Sequence, residues 1–225
     1  MIMKRVLVIF IVGLLVLSAS AARAQTSGAR AGHIFEFGAG GRALGMGSAY
    51  TAMVKDATSL YYNPSGLGLL EGRQLQLMRA QLYGDAAYDY LGYAQNFGKT
   101  PGGWGMQFLR LGVAASDGRD AINQPAGAFS YAETGFGLGF GLRGVGFPEL
   151  SLGSGVKVLN RSLGQSSDNL MGVNFGVQYG PLFNEKLSFG LGVQNAISLS
   201  RVDTLDKLPM SVRLGTAYQV LGPLA

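Results

Sequence analysis

Apolar and polar residues alternate along most of the chain from residue 73 onward, which is the period of a β-strand rather than that of a helix. In residues 169–180, for example, every second position is apolar, and glycine, asparagine or glutamine mostly stands between. Such segments are about ten residues long, which is the length that a tilted strand needs to cross a lipid bilayer. The pattern predicts eight strands, at about 73–83, 86–97, 104–113, 131–143, 150–161, 169–180, 186–197 and 210–221.

The gaps between these segments carry residues that favour turns. Clear examples are the Lys99–Gly103 stretch, Ser116-Asp117-Gly118, and Asn184-Glu185 after Pro181. These turn-rich gaps separate the predicted strands from one another.

Composition decides between two classes of protein with this pattern. A secreted β-sandwich also alternates, but its outward positions must be polar and charged. Here only 14% of residues are charged, and the positions between the apolar ones are mostly Gly, Ser, Ala and Gln. No apolar stretch after residue 24 is long enough for a helical span. The sequence therefore predicts an all-β fold, an antiparallel transmembrane β-barrel whose hydrophobicity is split between alternate residues.

The first 24 residues predict a cleavable signal peptide. Lys4 and Arg5 precede an uncharged apolar run over residues 6–17, and Ala22-Arg23-Ala24 is a cleavage site before Gln25. The run is short for a membrane anchor, which is the alternative interpretation. Cysteine is absent, which excludes a lipid at the processing site, a disulfide and a thiolate metal site.

Export also changes the charge of the mature chain. Without the three basic residues of residues 1–24, 15 basic and 13 acidic residues remain, so the formal charge falls from +5 to +2. Nucleic-acid binding needs a basic face, and we expect no such partner.

Residues 38–67 differ from all others in the chain. Glycine stands at 38, 40, 41, 45 and 47, which disfavours regular structure and indicates compact backbone pressed close to something else. Asp56 is predicted to cap a short helical turn over residues 57–61, which Asn63-Pro64 would end.

Three motifs in this block carry a resemblance to a known family. They are G-x-R-A-x-G-M-G at residues 40–47, D-A-T at 56–58 and N-P-S-G at 63–66. The block resembles the signature of the PorV/PorQ family of outer-membrane proteins, distant relatives of the FadL long-chain fatty-acid transporters. The chain departs from the family at Ser65, usually alanine, and at Lys55, where an acidic residue is common. The matching positions are Gly40, Arg42, Gly45, Gly47, Asp56, Asn63, Pro64 and Gly66.

The resemblance implies a barrel of about fourteen strands, with residues 25–72 as an N-terminal plug. An eight-stranded barrel has room only for its own side chains and could not also hold this plug. The chain ends in Gly-Pro-Leu-Ala without a terminal aromatic residue, and proline cannot donate to a closing ladder. We therefore expect that residues 73–225 are part of a larger barrel and that the sequence is truncated at its C-terminus. The alternative is a small barrel, or a sheet completed by a partner, with the glycine-rich block outside.

Three cations stand on the polar faces of predicted strands. We expect Arg143, Lys157 and Arg213 in the barrel lumen, because burying such charges in lipid is costly. Either they pair with plug groups or interior water and fix the barrel, or they help to select a passing solute.

Other apparent motifs carry little chemistry. Residues 38–43 fit a dinucleotide fingerprint, but no βαβ unit surrounds them. The sequence has a single histidine, His33, which argues against a catalytic triad and against a histidine metal cluster. The sequon at Asn160 is a chance match, and no catalytic residue, cofactor or metal is predicted. Three aspartates are interpreted as solvated turn residues rather than a calcium site: Asp117, Asp120 and Asp168.

The resemblance implies a non-enzymatic role in the outer membrane of a Gram-negative type of cell. PorV/PorQ proteins act with the type IX secretion system and hand exported cargo to a surface-attachment complex. The expected partners are then the outer-membrane bilayer, secretion-system components and cargo proteins. The alternative is a FadL-like channel whose partner is a hydrophobic small molecule. An apolar internal tunnel would favour the channel, and protruding surface loops would favour cargo handling.

Overall fold

The computed structural model describes residues 32–83, 85–119, 122, 124–164, 166–182, 186–200 and 207–220. Within them, eight strands form one antiparallel sheet in which each strand pairs with the next in sequence. The all-β class and the antiparallel arrangement are confirmed, although the sheet is not closed, since β1 and β8 do not pair with each other. The strands are β1 (Arg73–Gln81), β2 (Ala86–Asn96), β3 (Gly102–Arg119), β4 (Pro125–Arg143), β5 (Leu150–Leu163), β6 (Ser166–Leu182), β7 (Leu187–Ser200) and β8 (Ser211–Tyr218).

Several sequence predictions fall on residues outside these ranges. They are the signal peptide at residues 1–24, the first residues of the predicted plug (25–31), Asp120, and the turn at Asn184-Glu185.

Residues 32–72, called the N-terminal segment below, precede the sheet and contain only short helical turns. These are two 3₁₀ helices, His33–Phe35 and Pro64–Leu69, and two α-helical turns, Gly41–Gly45 and Ser59–Tyr62. The last α-helical turn begins two residues later than predicted. Asn63 ends it, as the sequence predicted.

The N-terminal segment lies against one face of the sheet, called the inner face. The six-residue helix Pro64–Leu69 contacts all five strands from β2 to β6. The segment therefore lies across the middle of the sheet.

The core lies between the segment and the inner face. Buried tyrosines and aliphatic residues of the segment pack on buried side chains of β2, β3, β5 and β6. Alternate positions of the strands, which form the outer face, contribute nothing to this core. The core residues are Ile34, Phe35, Ala39, Ala43, Tyr50, Val54, Tyr61, Tyr62, Tyr88, Tyr90, Leu109, Leu111, Leu159, Leu170 and Leu208.

The outer face is apolar and exposed. Phe140 of β4 and Leu77 of β1 are 50% and 67% exposed, for example. The large exposed apolar side chains on this face are Leu75, Leu77, Met106, Phe108, Phe136, Leu138, Phe140, Val156, Val158, Met171, Phe175, Ile197, Leu199, Val212, Leu214 and Tyr218.

The inner face is lined with glycine, which explains the abundance of glycine in the predicted strands. A Cβ atom at Gly153 would overlap the backbone of Pro64 and Ser65, and one at Gly176 would overlap the side chain of Asn63. The missing side chains therefore let the backbone of the N-terminal segment touch the sheet. Glycines with similarly close neighbours in the segment stand at 103, 105, 139, 141, 155 and 190.

Two predictions about turns were wrong. Asp117 and the Ser116–Gly118 stretch lie in β3, where Asp117 pairs with Ala128 of β4. Hydrogen bonds between the backbones of the two strands extend this hairpin. Such pairing does not require apolar and polar residues to alternate, so the sequence pattern did not reveal it. Asp168 is also no turn residue: it lies in β6 and forms an ion pair with Arg161, at 3.0 Å.

Candidate functional site

Asn63 is the centre of the contact between the N-terminal segment and the sheet. Its side chain is fully buried. The Nδ2 group donates to the carbonyl oxygens of Thr51, at 2.9 Å, and of Val177 in β6, at 3.1 Å. The Oδ1 atom accepts from the backbone N–H of Ser65, at 3.2 Å, and from its hydroxyl, at 2.7 Å. The side-chain amide of Asn63 therefore connects two parts of the N-terminal segment with a backbone carbonyl of β6.

Side chains of the inner face donate hydrogen bonds to backbone carbonyl groups of the segment. Gln178 of β6 donates to the Val54 carbonyl at 3.2 Å, and Gln194 of β7 donates to the Tyr61 carbonyl. Ser151 of β5 donates to the Ser65 carbonyl at 2.6 Å. Irregular backbone cannot satisfy its own polar groups when buried. Because these polar side chains supply hydrogen-bond partners, the segment lies against the inner face without unpaired carbonyl groups at these positions.

Hydrogen bonds within the segment involve three tyrosines. The hydroxyl of Tyr61 accepts from the Gly38 N–H at 2.8 Å, and that of Tyr62 accepts from the Ala39 N–H at 2.9 Å. The Tyr50 hydroxyl donates to Asp56 at 2.6 Å.

Burial raises the pKa of both Tyr50 and Tyr61 above the usual value, and the bond to Asp56 adds to the effect at Tyr50. Both phenols therefore stay protonated and hold these contacts.

The residues predicted for the plug motif fall into two groups. Gly40 and Gly47 adopt positive φ, 80° and 62°, at the two ends of the helical turn that includes Gly45. Arg42 lies in this turn with its guanidinium 5.7 Å from the ring centroid of Tyr50.

The second group surrounds Asn63. Asp56 accepts from the Thr58 N–H at 2.8 Å and precedes the helix Ser59–Tyr62. Pro64 opens the next 3₁₀ helix, and Gly66 lies so close to the Val54 carbonyl that a Cβ atom would not fit. The structure therefore buries Asn63, Pro64 and Gly66 next to one another in the chain, while Asp56 is half-buried and bonds to Tyr50 and Thr58.

Two of the three predicted cations lie on the inner face. Lys157 is 1% exposed; its Nζ donates to Gln194 Oε1 at 3.0 Å and lies 3.9 Å from the ring centroid of Phe35. Arg213 of β8 stacks near Tyr61, at 5.6 Å, and donates to its carbonyl at 3.4 Å. Both cations therefore contact the N-terminal segment.

Arg143 is placed differently. It is exposed at the end of β4, and its Nε lies 3.5 Å from the Pro148 carbonyl in the β4–β5 turn. The structure does not bring it together with Lys157 and Arg213.

Sequence reasoning missed Glu133 of β4. This carboxylate is fully buried and accepts from the backbone N–H groups of Gly32 and Ile34, both at 2.9 Å. It thereby fixes the first 3₁₀ helix to the sheet. The available signal was its position, since it shares a face with the alternate glycines of β4 but carries a charge.

The described residues contain no cluster of three or more His, Cys, Asp or Glu that could hold a metal ion. In the same ranges, no helix has the length and apolar character that crossing a membrane requires. His33 is exposed and lies 3.4 Å from Glu36. Comparisons of the chain with family models, with curated proteins and with solved structures found no match.

We expect the substitution Asn63→Ala to loosen the N-terminal segment without removing the sheet. It leaves the buried backbone N–H of Ser65 without its partner, which costs about 1–3 kcal/mol. Gln178 still contacts the Thr51 carbonyl and the Ser65 hydroxyl, at 3.4 Å and 3.3 Å. Trypsin cleavage after Lys55, which is exposed in the segment, should become at least about tenfold faster, because cleavage follows the population of the loosened segment. The matched control is Asn160→Ala, because the Asn160 amide is exposed and contacts Ser167 and Asn169 on the outer face. Equal cleavage rates in both variants would contradict the role of Asn63.

Proposed function

We propose that this chain is an outer-membrane β-barrel protein of the PorV/PorQ type that acts, without catalysis, in protein secretion or surface attachment of exported cargo. One observation carries the membrane part of the proposal. The sheet buries one face in the core and leaves its other face apolar and exposed, whereas the exposed face of a soluble β-sandwich is polar. Contiguous apolar surface of this extent marks contact with a partner or with lipid.

The proposed barrel is wider than eight strands. A sheet in lipid must close, because its free edges would leave backbone groups unpaired. Eight strands closed on themselves would leave room only for their own side chains, whereas here the N-terminal segment fills the inner face. We therefore propose that further strands complete the barrel and that the segment is its plug, as the resemblance implies.

The length of the β3–β4 hairpin supports a role in protein contact. These strands have 18 and 19 residues, while crossing a bilayer takes about 9–11. Large apolar residues on their outer face end at Phe108 and Phe136, and the next outer positions are Arg110 and Thr134. The rest of the hairpin continues to Arg119 and would project beyond the membrane, where cargo or secretion components could contact it.

The inner face favours cargo handling over a FadL-like channel. A channel for hydrophobic small molecules needs an apolar path along the inside of the barrel. The inner face instead carries Gln107, Ser151, Asn174, Gln178 and Gln194, all buried under or beside the N-terminal segment.

A membrane location predicts that two similar substitutions on β4 differ in how much folding free energy they cost. Leu138→Arg places a charge in the middle of the apolar outer face and should cost about 2–4 kcal/mol of folding into a bilayer. Thr134→Arg lies four residues along the same face, beyond the apolar positions, and should cost about 0–1 kcal/mol. Heat-modifiable mobility on gels after folding into vesicles measures the folded fraction.

For a water-soluble protein, both of these outer-face positions would tolerate arginine. Equal folded fractions for the two variants, together with folding in the absence of lipid, would contradict a membrane location.

The cargo proposal predicts that shortening the β3–β4 hairpin removes partner binding and keeps the barrel. Residues 114–130 are replaced by Asn-Gly, which joins the paired residues Val113 and Tyr131 through a two-residue turn. The probe is a reporter protein that carries the C-terminal signal domain of a type IX cargo, cross-linked in cells that express the full chain. We expect cross-linking to fall at least about tenfold, which corresponds to about 1.4 kcal/mol.

The control replaces residues 145–148 of the β4–β5 turn, at the opposite end of the sheet, by the same dipeptide. Unchanged cross-linking after hairpin shortening, in a protein that remains heat-modifiable, would overturn the role of the hairpin.

A further inference from the structure

Three charged side chains lie next to one another on the outer face of β1, β2 and β3. The strand register places Arg79 opposite Asp89 and Asp89 opposite Arg110. In the same row, the neighbouring strands β4 to β6 contribute the neutral residues Thr134, Asn160 and Asn169. Along this row the net positive charge is thus confined to β1–β3.

The two arginines are not neutralised by the aspartate. The Nε atom of Arg79 lies 3.7 Å from Asp89 Oδ1, and the two side chains are 72% and 37% exposed. This loose ion pair involves one of the five N–H donors of the guanidinium. Arg110 is exposed as well. Two guanidinium groups against one carboxylate leave one positive charge and several N–H donors facing outward.

An apolar groove adjoins these charges. Its volume is about 400 Å³, and the next outer row, Leu77, Leu91 and Phe108, contributes its apolar lining. Met78, Arg79, Asp89 and Tyr90 complete the lining. The groove therefore has apolar walls and a cationic rim at one end.

This arrangement has a specific meaning if the outer face lies in lipid, so the inference rests on the proposed function. Charged residues on the lipid-facing side of a barrel are tolerated near the membrane interface and not at the midplane. The row of Arg79, Asp89 and Arg110 then lies at the level of the headgroups, and the groove lies at the level of the acyl chains. Arginine binds phosphate through paired N–H donors in a fixed fork.

We propose that Arg79 and Arg110 bind the phosphate of an anionic phospholipid whose acyl chain occupies the groove lined by Leu77, Leu91 and Phe108. Charge complementarity selects this occupant over a zwitterionic lipid. Asp89 lies between the two arginines in the strand register and competes with the phosphate for Arg79, with which it forms the loose ion pair.

The test measures lipid retained by the full chain after extraction from vesicles that contain equal amounts of phosphatidylglycerol and phosphatidylcholine. Native mass spectrometry counts each bound lipid. We expect wild-type protein to retain more phosphatidylglycerol than phosphatidylcholine. The double variant R79Q/R110Q should retain about fivefold less phosphatidylglycerol than wild type, or less still. D89N removes the competing carboxylate and should retain at least as much as wild type.

R73Q is the matched control, because Arg73 is an exposed arginine on the outer face of β1, away from the groove. Equal retention by R79Q/R110Q and wild type, or an equal loss in R73Q, would overturn the site. Heat-modifiable mobility of the same samples separates the two proposals. A protein that never inserts fails as a membrane barrel, whereas a protein that inserts without retaining phosphatidylglycerol contradicts the lipid site alone.

Discussion

The close contact between irregular backbone and a glycine-lined sheet is the feature on which the rest of this structure depends. Buried backbone must pair its polar groups, and here side chains such as Asn63, Gln178 and Gln194 supply partners to the segment. Glycines such as Gly153 and Gly176 provide the space. A sheet with ordinary side chains at these positions would hold the segment away, and the polar side chains of the inner face would lose their partners.

This contact also accounts for the unusual distribution of apolar surface. The core forms on the inner face, where tyrosines and leucines of the segment and the sheet pack together. The apolar residues of the outer face, such as Phe136 and Leu138, have no protein to pack against and remain 45% and 44% exposed. The proposed membrane location would place this surface in lipid. The same face carries charge at Arg79, Asp89 and Arg110, where the apolar row ends.

The strands could be predicted from the alternation of residue types with period two. One face of the sheet is apolar, and the other is rich in glycine because the backbone of the N-terminal segment packs on it. The polar-face positions of Lys157 and Arg213 follow from the same parity, and both lie on the inner face. The ends of β3 and β4 escaped prediction, since a hairpin held by backbone pairs needs no alternation. The partners of Glu133 escaped it as well. They are backbone N–H groups of residues 32 and 34, about 100 positions away, and no local pattern reports such a contact.

The fluorescence of the single tryptophan tests the membrane location most directly. Trp104 lies on the outer face of β3, with its ring centroid 5.6 Å from that of Tyr93. The protein is folded into vesicles with and without brominated acyl chains, and iodide is added to the aqueous phase as a second quencher. An outer face in lipid predicts strong quenching by the brominated chains and little by iodide. Quenching by iodide alone would contradict the account, because Trp104 would then face water.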